Sequence, residues 1–247
     1  PILMVKNLEV GFELPEGPLT AVKNASFQIM PGKTLALVGE SGSGKSVISQ
    51  TIMGLLPSKA KIYGGSILFS PPAETDVTVD IAQLSSSSKK MRDIRGGLIS
   101  IIFQEPMTSL SPLHTIGSQI KEALVLHRHV GSKEANELVI DMLQLVGFPD
   151  PQRGFRTYPF ELSGGLRQRS MIAMALICRP CLLIADEPTT ALDVTIQAQI
   201  LKLMKDLQSE FEMAMLMITH DLGVVANIAD DVVVMYQGEI MESGSTD

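Results

Sequence analysis

No stretch of this sequence approaches the roughly 18 consecutive apolar residues that a membrane-spanning helix needs. Met171 to Cys178 is among the longest apolar runs, and Arg179-Pro180 stops it. No basic segment leading into an apolar one follows Pro1, so a secretory signal is not expected. Positive charge is also short: 20 Lys and Arg stand against 27 Asp and Glu, for a net charge of −7. That balance argues against a general nucleic-acid surface. Cysteine is scarcer still. Cys178 and Cys181 form a C-x2-C pair with no His or Cys cluster nearby, so a zinc site would lack two ligands. One closes an expected helix and the other opens an expected buried strand, which fits core residues kept reduced in a cytoplasmic compartment.

What remains is an ordinary globular composition, 45% hydrophobic and 19% charged over 247 residues, enough for one large domain or two small ones. The stretch that organises it is Gly39 to Ser46, Gly-Glu-Ser-Gly-Ser-Gly-Lys-Ser. It fits the phosphate-binding loop G-x-x-x-x-G-K-[ST]. Gly39, Gly42 and Gly44 let the backbone turn where a Cβ would forbid it, so that successive N–H groups, including those of Glu40, Ser41 and Ser43, can point at one anion. Lys45 brings a cation to the β- and γ-phosphates, and the Ser46 hydroxyl can ligate Mg²⁺. The flanks agree. Thr34 to Val38 is a short apolar run, as a buried parallel strand requires. Val47, Ile48, Ile52 and Leu55 then recur at helical spacing until Pro57, which puts a helix N-terminus under the phosphates.

Elsewhere the chain reads as alternating elements. The first thirty residues suggest antiparallel strands around a polar loop, Glu13 to Pro18, with Phe12 at a strand end where its ring can stack on an adenine. Gly65 to Phe69 is a further strand. Pro71 to Ser88, poor in core residues and ending in a serine run, reads as a surface insertion before a short helix, Lys89 to Ile94. Leu98 to Phe103 is a buried strand that delivers Gln104. From Thr108 to about Gln152 the pattern is helical, with His127 and His129 at a solvated junction. Ser163 caps a helix running to Cys178. Leu182 to Ala185 is an apolar strand ending in Asp186-Glu187-Pro188, Val194 to Phe211 a helix, and Met213 to Thr219 a strand ending in His220-Asp221. Val232 to Tyr236, a Gln237-Gly238 turn and Glu239 to Glu242 make a closing hairpin. Gly39, Gln104, Asp186 and His220 therefore all fall at the carboxyl ends of buried strands, the edge where open parallel sheets bind ligands.

These motifs, in this order, resemble the nucleotide-binding subunit of an ABC transporter over nearly the whole chain. Gly39 to Ser46 matches Walker A, and Cys181 to Asp186 with Glu187 matches Walker B and its catalytic carboxylate. Gln104 matches the Q-loop, Leu162 to Gly165 the LSGG signature, Ala191-Leu192-Asp193 the D-loop and His220 the switch histidine. Phe12 falls where the family places an adenine-stacking aromatic. Leu166 departs from the usual glutamine but leaves Ser163, Gly164 and Gly165 intact. The resemblance implies an α/β fold, the P-loop NTPase cassette: a mostly parallel core sheet, an N-terminal antiparallel β subdomain and a helical signature subdomain. Residues 1–247 would form one ATPase domain, with the helical part at approximately 105–178.

Phe103 to Leu110, Ala185 to Asp193 and Thr195 to Gln199 look like the dipeptide, oligopeptide and nickel importers. Peptide-type members usually continue into a cysteine-bearing extension, so a shortened chain and a shorter, nickel-type subunit both stay open. ATP and Mg²⁺ are the expected ligands, with Asp186 holding the metal opposite Ser46, Gln104 also reaching it, and Glu187 polarising water while Gln104 and His220 orient it. The family pairs two such subunits head to tail, each signature closing on the other's ATP, on two membrane permease subunits at the cytoplasmic face of the inner membrane. An extracytoplasmic substrate-binding protein acts indirectly, and no nucleic acid is expected. Uptake of peptides or a related small solute is the leading expectation. A nickel or metal-chelate importer and a soluble, non-transport ABC ATPase are the alternatives.

Overall fold

The computed structural model describes residues 1–72, 77–104, 109–190 and 192–246. Glu105 to Thr108 of the expected Q-loop segment, the helical start at Thr108, Ala191 of the D-loop triplet and the terminal Asp247 lie outside the described residues.

Two sheets carry the fold. The first is antiparallel, in the order β2-β1-β4-β5, from β1 (Leu3–Leu14), β2 (Gly17–Ile29), β4 (Ala60–Phe69) and β5 (Val79–Asp80). β1 and β2 stay paired as far as Leu14 opposite Gly17, so only Pro15 and Glu16 remain of the polar loop expected at Glu13 to Pro18. Gly17, at φ +122, supplies the reversal that makes so tight a link possible. The expected surface insertion is likewise partly core. Val79 and Ile81 are buried, and the Asp80 carboxylate accepts from the backbone N–H of Ile67 and of Ala82. Burial and pairing with β4 are set by the fold, and a composition reading cannot register them.

The second sheet runs β10-β9-β3-β8-β7-β6, from β3 (Thr34–Gly39), β6 (Ile99–Ile102), β7 (Leu182–Asp186), β8 (Ala214–Thr219), β9 (Asp231–Tyr236) and β10 (Glu239–Ser245). All neighbours are parallel except β10, which returns antiparallel to β9. Gln237 and Gly238 turn this hairpin with φ values of 46 and 86, as a two-residue primed turn requires. Every residue of β7 and β8 is buried, because period-two alternation sends their side chains into two different cores. Leu182, Ile184, Leu216 and Ile218 enter the core shared with the antiparallel sheet. Leu183, Ala185, Met215 and Met217 enter the core under the helices. Fully burying one such side chain contributes about 1.5–3 kcal/mol. The strands that end at the site are thus its most firmly held supports.

The helices are α1 (Lys45–Ile52), α2 (Lys89–Ile94), α3 (Ile116–His127), α4 (Ser132–Leu145), α5 (Pro151–Arg156), α6 (Gly164–Leu176), α7 (Val194–Phe211) and α8 (Leu222–Ile228). α1 stops well before Pro57, as Gly54 takes φ +62. α3 to α6 share one core with α7, which packs the signature segment on the parallel sheet. His127 departs from the solvated placing expected of it. Its ring lies against Gly96 and Gly97, where a Cβ would meet it, and burial lowers its pKa. His129 is exposed. Cys178 and Cys181 are free thiols, and burial pushes Cys181 up to about 11, which leaves it protonated and unreactive near neutrality.

Candidate functional site

At the carboxyl edge of the parallel sheet the chain leaves β3 and folds back over the start of α1. Gly39 has no room for a side chain: a Cβ there would lie 2.3 Å from the Met235 carbonyl oxygen and 2.7 Å from Ser43 Oγ. Gly42 and Gly44 take φ +82 and +103. Gly44 is the N-cap of α1 and offers no side chain to it, which leaves the first-turn amides without a capping partner. A Cβ on Gly44 would also approach within 2.5 Å of the Ala21 carbonyl oxygen. Ala21 sits where β2 bulges, between the pairs Val10–Val22 and Gly11–Thr20. The antiparallel sheet thus presses on the loop at the point where only glycine fits.

Lys45 is nearly buried, and its ammonium donates to the carbonyls of Gly39 (2.7 Å) and Glu40 (2.8 Å) and to Ser43 Oγ (3.4 Å). Burial lowers its pKa, against the attraction of Glu187 and Asp186. A buried cation hydrogen-bonded to neutral oxygens, beside uncapped helix amides, is the chemistry of an anion seat.

Asp186 ends β7 behind Ser46. Its oxygens accept from Ser46 Oγ at 3.3 Å and Ser49 Oγ at 3.2 Å. Burial pushes this carboxyl up, while both serine hydrogen bonds pull it back down. A desolvated carboxylate beside a hydroxyl is an all-oxygen set that suits a hard divalent cation, which would repay the burial that a hydroxyl alone does not. Among the described residues no group of three or more His, Cys, Asp and Glu side chains is placed to hold a metal.

Glu187 follows in the left-handed region, φ 48, with its N–H bonded to the Ile218 carbonyl at 2.9 Å. This twist turns its side chain out of the strand and over the loop. One carboxylate oxygen accepts from Gln104 Nε2 and Thr190 Oγ1, each at 3.0 Å, and the other contacts His220 Nδ1 at 3.1 Å. Four strand ends therefore meet, and the meeting encloses a cleft of about 650 Å³. It is lined by Glu40, Ser41, Gly42, Gly44, Lys45 and Ser46 of the loop, by Gln104, Glu187 and His220, and by Ala21, Val47 and Thr190.

Ala21, Val47 and Thr190 were not singled out from sequence. A hydroxyl three residues after Glu187 was a readable signal for Thr190; nothing local marks Ala21. Phe12 is half-buried in β1, paired with Leu19 and Ala60, and the cleft is lined from β2 instead. Ser163 caps α6, accepting from the Leu166 N–H at 3.4 Å, and is exposed together with Gly164, with Gly165 half-buried. None of the three lines this cleft. Asp193 caps α7 through the N–H groups of Thr195 and Ile196. Leu166, the departure from the usual glutamine, packs against the helical core.

A glycine loop on the first strand of a parallel sheet, a buried lysine and adjacent acidic residues on the neighbouring strand end define the phosphate-loop class of nucleotide-binding proteins. More narrowly, the chain belongs to the ABC transporter family, which it matches over residues 22–190. It is 53% identical over 245 residues to the dipeptide transport ATP-binding protein DppD of Bacillus subtilis, covering 99% of this chain and 70% of that one. It is 52% identical over 246 residues to the oligopeptide transport ATP-binding protein AmiE of Streptococcus pneumoniae, covering 100% and 67%. Its fold superposes with a TM-score of 0.84 on the ATP-binding cassette MJ0796, solved as a dimer in a post-hydrolysis state with ADP and Pi. That match has 26% identity and covers 99% of both chains.

Proposed function

We propose that this chain is the ATP-hydrolysing subunit of an importer for peptides, in which Mg-ATP sits in the cleft over Lys45 and is cleaved by water activated at Glu187. The observation that carries this reading is the single cleft that joins the phosphate loop to a carboxylate held by Gln104, Thr190 and His220. The names of DppD and AmiE favour peptides over nickel or a metal chelate.

Lys45 and the amides of Gly42 to Ser46 bind the β- and γ-phosphates, the ammonium exchanging its loop carbonyls for phosphate oxygens. Ser46 and Asp186 would hold Mg²⁺, which supplies charge neutralisation across the phosphates when bound. Glu187 takes a proton from water as the water oxygen attacks the γ-phosphorus, and the bond from that phosphorus to the β–γ bridging oxygen breaks to leave ADP and phosphate. Gln104 and His220 position the carboxylate in this state and orient water and γ-phosphate once nucleotide enters. Phe12 stacks on the adenine.

Ser163, Gly164 and Gly165 lie outside this cleft at the start of α6, which supports a role toward the nucleotide of a second ATPase subunit, with Asp193 at the shared boundary. Among the described residues no helix is long and apolar enough to cross a membrane. In this reading the transport path belongs to permease subunits, which this chain meets at the inner membrane. The experiment is reconstitution with cognate permeases and binding protein in proteoliposomes. Peptide uptake that requires ATP and is lost with Glu187→Gln supports the reading, and ATP turnover that no peptide couples to uptake overturns it.

A further inference from the structure

Thr190 has a place in the cleft that its exposure alone would not suggest. Its hydroxyl donates to the Glu187 oxygen that also accepts from Gln104, both at 3.0 Å, while the opposite oxygen faces His220. The Thr190 N–H returns to the Glu187 carbonyl at 3.2 Å, so residues 187–190 form a closed turn. Glu187 itself enters that turn at φ 48, with its own N–H tied to Ile218. Of the three side chains that contact the carboxylate among the described residues, Gln104 and His220 come from other strand ends, and Thr190 belongs to the turn that carries Glu187. The Thr190 bond thus joins two residues of one turn and does not depend on where the Gln104 and His220 segments lie.

We infer that Thr190 is a positioning residue for hydrolysis. It anchors one Glu187 oxygen, so that the other, facing His220, is the one that receives the proton from water. The geometry separates the two oxygens by role: the anchored one has its lone pairs taken by an O–H and an N–H donor, and the other has a partner that is 63% exposed and free to turn toward nucleotide. This inference rests on the assignment of Glu187 as the base.

The test is steady-state ATP hydrolysis by the assembled importer carrying Thr190→Val, which keeps the shape and removes the donor, and Thr190→Ser, which restores it. A hydrogen bond to a charged group is worth enough to lower kcat by about tenfold or more. KM and the affinity for ATP should stay within about twofold, and Thr190→Ser should recover most of the loss. In a Glu187→Gln background, Thr190→Val should change residual turnover no further, because the two act as one unit. Thermal melting of each variant separates these effects from unfolding. Full activity in Thr190→Val, a loss of ATP affinity matching the loss in kcat, or an additive loss in the double variant overturns the inference. Near-normal turnover by Glu187→Gln alone instead overturns the assignment beneath it.

Discussion

Glu187→Gln separates chemistry from stability more sharply than any other change in this cleft. The side chain is 15% exposed and contacts three groups, and the amide can keep all of them. Its oxygen can accept from Gln104 and Thr190, and its NH2 can donate to an unprotonated His220 Nδ1. What is lost is the ionic part of the His220 contact, and that histidine is 63% exposed. A solvent-screened pair contributes about 0–1 kcal/mol. Against a global stability of about 5–15 kcal/mol, such a loss leaves the protein folded. The amide cannot take a proton from water, and a positioned base contributes about 10²–10⁴-fold, or roughly 2.7–5.5 kcal/mol of barrier. The chemical term exceeds the structural one severalfold. Phosphate release should therefore fall by at least about a hundredfold, while the melting temperature and the calorimetric affinity for ATP barely move. Turnover within threefold of the parent, or a matching loss of ATP affinity, would refute the reasoning.

Asp186→Asn should raise the melting temperature of the nucleotide-free protein at neutral pH while abolishing Mg²⁺-dependent turnover. Because the folded carboxyl is pushed up by burial, the folded state binds this proton more tightly than the unfolded one. The penalty is thus absent below the unfolded pKa and complete above the folded one, and melting curves that show no gain for asparagine, or a gain at low pH only, count against this. Gly44→Ala should cost about 2–5 kcal/mol of stability, from a positive φ and the overlap with Ala21; urea unfolding checks it, and a parent-like midpoint refutes the close approach. Phe12→Ala should weaken ATP binding by about 1–3 kcal/mol without loss of fold, and unchanged affinity would place the adenine elsewhere. Specific ATPase activity should rise with protein concentration or on adding the partner subunit, and Ser163→Arg should remove that turnover while sparing ATP binding; full hydrolysis by a strict monomer would defeat the shared site.

The sequence by itself determined whatever depends on neighbours along the chain. The phosphate loop was legible because its glycines, Lys45 and Ser46 act within eight residues, and the helix cap at Ser163 because a cap bonds three residues ahead. β7 and β8 were legible because a strand buried on both faces reads as an unbroken apolar run. Tertiary structure alone decided what depends on distant partners. It carried β1 and β2 to within two residues of each other and buried Val79 and Ile81 in what read as a surface insertion, while α8 went unread although Asp221 caps it. It also set the Ala21 bulge against Gly44 and twisted Glu187 out of its strand, so that Gln104, Thr190 and His220 meet one carboxylate. The physical reason is that residue type sets which groups can react, whereas their separations depend on sheet order and register. Pairing among strands more than a hundred residues apart, such as β3 with β8, settles those.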